Sequence, residues 1–586
     1  MKFLALALDY DGTIAVHGVL DDKVRRAIAE LRAKDIFVLI VTGRILDELR
    51  RVAGDLHFVD AVVAENGAVI EFTDSRYSRA FALPPSETFL DALRRENISF
   101  KVGQVIVESD SKNAPAILAI LQRLELPLTL LFNRGRLMVL PQAMSKATGL
   151  REALKILRLS AHNTLAIGDG ENDHELLQAC EAGVAVEWGS QFLKDCADYI
   201  LAGQDPSAVA EYICTLGKSK RIPVPVKPRR VVLLGHTDAG LPMTLAVRGQ
   251  NILIAGDTKS GKSWAAGLLC EQIILYGYSL LIIDPEGDYT SLEALPGVAV
   301  YGGKDPLPRP RELLRSLRHA DVSIVIDLSH TPYEEKLDYV RTLLPGLATL
   351  RRHTGLPHRI VIDEAHYFLN GQDVPKLLDL ELGSYTFVTY RASQLHADLL
   401  ASAEVIIATR ESDPREVAKL HELCWGTDSR LEDTEWVPLL ANLLTGEAIA
   451  LPRKGNAGSV PQRVRLAPRL TPHIRHAAKY VDIPVPEKDQ FVFWNGNHMS
   501  GDRARTLRQF LSVIENCSTS EMDGHLQRED FSAWIATVFG DYVLADVVHG
   551  IEHDYRTGEL VDVIPKLADA VRSRYDLIDP LSGSRC

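Results

Sequence analysis

Along residues 3 to about 205, short apolar runs alternate with stretches in which apolar residues recur every three or four positions. Phe3–Leu8 and Ile36–Val41 are runs of the first kind and predict buried strands, whereas Asp21–Lys34 predicts an amphipathic helix. That is the rhythm of a parallel sheet covered by helices. From about 75 to 141 the pattern becomes helix, strand, helix and two strands (Ser86–Asn97, Phe100–Val107, Ala114–Leu124, Leu128–Phe132, Leu137–Leu140), which predicts an inserted α+β lid. A second α/β series runs from Arg230 to about Pro468. Its strands are predicted at Asn251–Ala255, Ser279–Ile283, Ser323–Asp327, Arg359–Ile362, Tyr385–Thr389 and Glu404–Ala408.

The segment Lys218–Arg230 holds three prolines and six cationic residues and predicts an extended, exposed linker. A proline-bearing connector is expected over Ala467–Lys488, followed by helices with aromatic residues from 490 to 576. The expected division is therefore 1–217, a linker at 218–229, 230–468, and a small, mainly helical unit at 485–576.

With 586 residues, 46% of them hydrophobic, the chain has the material for several packed cores. Its formal net charge of −13 leaves no global basic footprint, so nucleic acid is not favoured as a partner. The seven cysteines form no C-x-x-C pair, which predicts reduced thiols in a cytoplasmic protein. Met1–Leu8 is cut short by Asp9, and no stretch approaches the ~20 apolar residues that span a bilayer.

Chemistry concentrates first at Asp9-Tyr10-Asp11-Gly12-Thr13, directly after a predicted strand. At the carboxyl edge of an open sheet, two carboxylates two residues apart can divide labour. Asp9 suits attack on phosphorus, and Asp11 suits proton exchange with the leaving oxygen and then with water. Such crowded negative charge calls for a hard cation, Mg²⁺, with Asp169 as the further ligand from the loop after Thr164–Ile167. Thr42 offers a hydroxyl and an N–H to phosphate, and Lys146 a fixed positive charge.

These residues, with Val41-Thr42-Gly43-Arg44, Glu65-Asn66-Gly67-Ala68, Ser145-Lys146-Ala147-Thr148-Gly149-Leu150 and Gly168-Asp169-Gly170-Glu171-Asn172-Asp173, resemble the haloacid dehalogenase superfamily, specifically its Cof-type branch. The resemblance covers roughly 205 residues. It implies a Rossmann-like parallel sheet with an inserted cap. Asp9 would be the nucleophile and Asp11 the acid/base. Thr42 and Lys146 would bind phosphate, and Asp169 would bind metal with Asn172 and Asp173 in support. The small lid is similar to that of phosphoglycolate and sugar-phosphate phosphatases. Glu65-Asn66-Gly67 also reads as a tight turn.

A second phosphate signature, Gly256-Asp257-Thr258-Lys259-Ser260-Gly261-Lys262-Ser263, lies between an apolar strand and the helical pattern Trp264–Leu275. Glycines there let backbone N–H groups wrap phosphate oxygens; Lys262 reaches the terminal phosphates and Ser263 holds Mg²⁺. About a hundred residues on, Asp363 ends another apolar strand and would join the magnesium shell, with Glu364 polarising water. Residues 231 to 424 resemble the HerA/FtsK-like branch of P-loop ATPases, a RecA-like α/β fold. The resemblance rests on this loop, Ile282–Tyr289, Asp363-Glu364-Ala365-His366 and Thr389–Leu395. It implies ATP as ligand, Gln394 as a γ-phosphate sensor and Arg410 as a finger toward a neighbouring subunit of a homo-oligomer. A polar strand end and a surface ion pair are the plainer readings of those two residues. Glu286 and Asp288 read as turn carboxylates. In the carboxyl-terminal unit, Asp530 reads as a helix cap, and His525 with Asp530 reads as a contact fixing a helical bundle.

The expected function is a Mg²⁺-dependent phosphomonoesterase acting through an aspartyl-phosphate on a small phosphorylated metabolite, fused to an ATP-hydrolysing domain. The alternatives are a nucleic-acid-processing machine with an end-trimming phosphatase, and an ATPase region that serves as a regulatory scaffold.

Overall fold

The computed structural model describes residues 2–575 apart from 76, 134, 220, 224, 226–227, 426–435, 452–460, 473–484, 486, 496–497 and 540. Most of the expected proline-bearing connector therefore lies outside the described residues. The first series forms an eight-stranded sheet in the order Tyr199–Leu201, Ala182–Val186, Thr164–Gly168, Ala5–Leu8, Phe37–Val41, Ala61–Ala64, Val69–Phe72, Tyr77–Ala80. It is parallel as far as Ala61–Ala64 and antiparallel beyond. Ala5-Leu6-Ala7-Leu8 is apolar throughout because each face of the sheet is covered: Leu6 and Leu8 enter one core, Ala5 and Ala7 the other. The helix Asp22–Arg32 begins where the Asp21 carboxylate accepts the Lys23 and Val24 N–H groups, and it buries Val24, Ala27, Ile28 and Leu31 on one stripe.

The lid is a four-stranded antiparallel sheet, Leu128–Asn133, Arg136–Pro141, Val107–Asp110 and Phe100–Val102, backed by the helices Glu87–Arg95 and Ala114–Arg123. Tyr77–Ala80, expected at the start of the lid, belongs instead to the main sheet. A hairpin pairs it with Val69–Phe72.

The second series forms an eleven-stranded sheet. Its parallel part runs Val405–Ala408, Ile252–Ala255, Tyr385–Thr389, Arg359–Ile362, Leu280–Asp284, Ser323–Asp327, Val298–Gly302. An antiparallel extension that was not expected (Glu447–Leu451, Gln462–Leu466, Val231–Thr237, Pro242–Ala246) continues it past Val405–Ala408. Two pairs of consecutive strands make up this extension, and what assembles them into one sheet is the remote pairing of Val231–Thr237 with Gln462–Leu466 and of Val405–Ala408 with Glu447–Leu451.

The carboxyl-terminal unit combines a hairpin, Phe491–Asn495 with His498–Ala504, and helices around a core that includes Phe491, Phe493, Phe510 and Phe531. His525 Nδ1 lies 2.7 Å from Asp530 Oδ2, and its Nε2 accepts the Trp494 N–H at 2.9 Å. The pair thus ties hairpin to helix. Asp530 does not cap. The carboxylate of Glu552 accepts the Phe531 and Ser532 N–H groups instead.

The two large sheets meet by the amino ends of their strands. Glu181, immediately before Ala182–Val186, is 5% exposed. It receives the Tyr278 hydroxyl at 2.7 Å, His162 Nδ1 at 3.0 Å, Arg248 at 3.2 Å and Arg230 at 3.6 Å. The rings of His162 and Tyr278 stack at 3.6 Å, with His358 edge-on to both. Arg229 and Arg230, expected to be exposed in the linker, are drawn into this joint. Both donate to the Cys180 carbonyl beyond the helix His174–Ala179, and Arg229 also meets Asp198 at 2.9 Å. Burial raises the Glu181 pKa, but His162, Arg248 and Arg230 more than offset it and hold the carboxyl below the ordinary glutamate range.

Removing one partner from a buried charge network costs about 3–5 kcal/mol. Glu181→Ala should therefore destabilise the joint by about that much, seen as an earlier unfolding step in urea; an unchanged midpoint would contradict the role given to it. Because the native pKa of Glu181 is depressed, its contribution is fully present above the ordinary value of 4.5 and is lost as pH falls through the native value.

Candidate functional site

Asp9 follows the strand Ala5–Leu8 and Asp169 follows the adjacent strand Thr164–Gly168, so both emerge at one sheet rim. Lys146 opens the helix Lys146–Ile156, which begins with a reciprocal Ser145–Thr148 capping box. Its ammonium reaches Asp9 Oδ1 at 2.6 Å and Asp173 Oδ1 at 2.5 Å. Asp9, Asp169 and Asp173, all buried, present carboxylate oxygens within 4.8 Å of one another. Thr13 donates toward Asp9 and Asp169, each at 3.2 Å. Asp173 accepts the N–H groups of Asp169 and Gly170 and so shapes its own loop.

Burial, then the charge of Asp173, pushes the Asp9 carboxyl well above the usual range, while Lys146 pulls it back. Burial works against the Lys146 ammonium, but Asp173 and Asp9 outweigh it and hold the lysine above its ordinary value. A carboxylate destabilised by two neighbouring carboxylates gains its ionised form when a cation joins them, so the donor set fits a hard divalent ion.

Asp11 stands apart from this cluster. It is half-exposed and bound by Arg44 through two bonds of 2.5 and 2.6 Å. Thr42 is buried after the strand Phe37–Val41, and its hydroxyl accepts the Arg44 N–H. Asn172 lines the same cavity with a buried amide nitrogen. That cavity is about 270 Å³. Asp9, Asp11, Thr42, Lys146 and Asp169 form its floor, and Glu108, Asn133, Arg136 and Met138 of the lid form its roof.

Two supports of this geometry were not assigned from the sequence. A Cβ on Gly149 would lie 2.4 Å from Gly67 Cα, and one on Gly67 would lie 2.0 Å from the Ser145 carbonyl oxygen. Glycine at both positions lets the Lys146 helix cross the Glu65–Gly67 turn in direct backbone contact. The turn is also more than a turn. Buried Glu65 accepts N–H groups of Gln104, Val105 and Ile106 and so anchors the lid to the core. Arg44 and Thr13 lay inside recognised motifs, but their partners became visible only in three dimensions.

At the second rim, the loop after Ile252–Ala255 needs glycine at Gly256 (φ 151°), where a Cβ would lie 2.1 Å from Thr409 Oγ1, and at Gly261 (φ 106°), which starts the helix Lys262–Leu275. Lys262 donates to the Asp257 carbonyl at 2.7 Å. Ser263 donates to Asp288 at 2.6 Å, which makes Asp288 a neighbour of the loop. The turn role falls to Asp284, whose carboxylate accepts the N–H groups of Glu286 through Tyr289. Asp363 and Glu364 are buried at the end of Arg359–Ile362, and Glu364 has a left-handed φ of 43°. Tyr390 lies between the two groups of residues. The Lys262 ammonium stands 5.8 Å from its ring, and burial together with the Glu364 charge raises its phenol pKa. Gln394 lines a cavity of about 690 Å³ beside the loop. Arg410 lies 3.8 Å from Asp257 of its own chain.

Residues 6–113 and 84–213 match the haloacid dehalogenase-like hydrolase family, and residues 235–374 match the family described as helicase HerA, central domain. A phosphoglycolate phosphatase of Methanosarcina acetivorans is 27% identical over 210 residues, 34% of this chain and 90% of that protein. The 5-amino-6-(5-phospho-D-ribitylamino)uracil phosphatase of Bacillus subtilis is 25% identical over 236 residues, 36% of this chain and 93% of that protein. Among solved structures, a haloacid dehalogenase-like hydrolase from Bacteroides thetaiotaomicron aligns over 37% of this chain and 100% of its own, at 19% identity and a TM-score of 0.34. The amino-terminal third of the chain thus belongs to the haloacid dehalogenase-like hydrolases, and it is joined to a HerA-like P-loop domain.

Proposed function

We propose that the chain is a phosphomonoesterase whose nucleophile is Asp9, coupled to a P-loop unit that binds and hydrolyses ATP. The observation that carries the first half is the convergence of Asp9, Lys146, Asp169 and Asp173 under a lid. In the proposed reaction an Asp9 oxygen attacks phosphorus, the bond to the leaving oxygen breaks, and Asp11 supplies a proton to that oxygen. Water, deprotonated by Asp11, then releases phosphate from Asp9. Both Asp11 oxygens accept from Arg44, so Arg44 must release one of them for Asp11 to exchange a proton during turnover. Lys146 holds Asp9 in line and balances charge on the transferring group. Mg²⁺ held by Asp9 and Asp169, with Asp173 and Asn172 beside them, would neutralise the crowded carboxylates and the incoming phosphate.

A roof of this kind suits a small substrate. Arg136 and Asn133 face the catalytic floor across about 270 Å³, which favours a phosphate ester with a second polar or anionic group, such as phosphoglycolate or a sugar phosphate. The named phosphatase relatives support the same class. In the P-loop unit, Lys262 and Ser263 would hold the triphosphate and its Mg²⁺. Asp363 would complete the metal shell, Glu364 would activate water and Gln394 would sense the γ-phosphate.

The test is a phosphatase screen over phosphoglycolate, sugar phosphates, nucleotides and 3′- or 5′-phosphorylated oligonucleotides, with and without ATP. Turnover of small esters supports the proposal, and turnover of oligonucleotides alone overturns it in favour of a nucleic-acid machine. Asp9→Asn should abolish ester hydrolysis and leave ATP hydrolysis intact, and Lys262→Ala should do the reverse; loss of both activities from either change, with the fold intact, would refute separate sites. Gly149→Ala should cost about 1–3 kcal/mol by overpacking. It should also lower phosphatase kcat, because the Lys146 helix is forced outward. Wild-type kcat in a folded variant would show that the backbone crossing does not position Lys146.

A further inference from the structure

The cavity beside the P-loop has two walls far apart in sequence. One consists of the loop itself (Thr258, Lys259) with Tyr390, Arg391 and Gln394. The other comes from the carboxyl-terminal unit, where Arg505, Phe539, Asp541 and Arg574 face the loop. The walls are bonded directly: Lys259 Nζ donates to the Arg574 carbonyl at 3.4 Å, and Arg391 donates to the Val538 carbonyl at 3.2 Å. An adjoining cavity of about 370 Å³ is lined by Asp257, Thr258 and Arg410 on the loop side, and again by Phe539, Asp541 and Arg574. Arg574 therefore borders both of these cavities.

Arg574 is held ready. Its guanidinium makes three bonds of 2.9–3.1 Å to Asp541, whose Oδ1 also caps the helix Tyr542–Thr557 through the Leu544 N–H. A triphosphate seated on the loop would bring several negative charges into this space, and a planar guanidinium is the side chain best matched to phosphate oxygens. Asp541 balances Arg574 until phosphate competes for it. Resting on the reading that the P-loop binds ATP, we propose that the carboxyl-terminal unit completes the nucleotide site within the same chain, with Arg574 as a ligand of the terminal phosphate.

The full-length protein is titrated with a non-hydrolysable ATP analogue and, separately, with ADP. The variants are Arg574→Lys and the double change Arg574→Gln with Asp541→Asn, which keeps a neutral hydrogen bond in place of the ion pair. The double variant should bind the triphosphate analogue about tenfold or more weaker, the loss expected for one charge-assisted contact, with ADP affinity little changed. Arg574→Lys should recover part of the difference. Equal weakening of both nucleotides would mean that Arg574 only supports the fold, and unchanged triphosphate affinity would remove it from the site; either overturns the proposal. If the wild-type protein bound neither nucleotide, the ATP reading would fall first and this proposal with it.

Discussion

Buried carboxylates must be compensated, and how far each one is sets what its place in the molecule can do. At the first rim Lys146 lies between Asp9 and Asp173. At the joint Glu181 gathers His162, Tyr278, Arg248 and Arg230. At the far rim Asp363 and Glu364 end a buried strand beside Tyr390 and the P-loop lysine. The balance differs in kind. Glu181 is over-compensated and stays ionised, which suits a fixed joint. Asp9 is under-compensated by one lysine shared with a second acid, which suits a site that must accept another cation and a phosphoryl group.

Backbone contacts supply the precision that such a site needs. Lys146 is placed by the Gly67–Gly149 crossing and by a capping box, not by a flexible loop. Glu65 ties the lid to the turn at that crossing, so lid position and lysine position depend on the same three residues, Glu65 to Gly67. The helix His174–Ala179 then runs from the Asp173 loop to Glu181, so the acid cluster and the joint share one short rigid element.

The parallel strands that were legible are those whose apolar runs are buried on both faces, and Asp9, Asp169 and Asp363 were legible because they follow such runs; Val298–Gly302, a partly exposed strand at the sheet edge, was not expected. What escaped was set by contacts remote in sequence. Val231–Thr237 and Gln462–Leu466 each pair with a neighbour in sequence, but their place in the large sheet comes from finding each other across the P-loop unit. Arg229 and Arg230 have linker composition, yet the carbonyls past the His174–Ala179 helix and the charge of Glu181 draw them in. Asp288 looked like a turn residue because it shares a segment with Asp284, which makes the turn and leaves Asp288 for Ser263.

The joint also decides what the two sites can do for each other. Glu181, Tyr278 and His358 stand at the starts of strands, whereas Asp9, Asp169, Asp288, Asp363 and Glu364 stand at the ends. Sheets that abut by their amino ends turn their carboxyl rims away from each other. At about 3.3 Å per residue, two strands of four or five residues separate the rims by roughly 30 Å before the loops are counted. A phosphoryl group cannot pass directly across that distance. The strands Leu280–Asp284 and Arg359–Ile362 each start at the joint and end at the acidic residues of the second rim, so they form a continuous connection between the two. Such a path transmits a shift of register or tilt and not a substrate. The architecture therefore fits two separate sites better than a shared reaction centre.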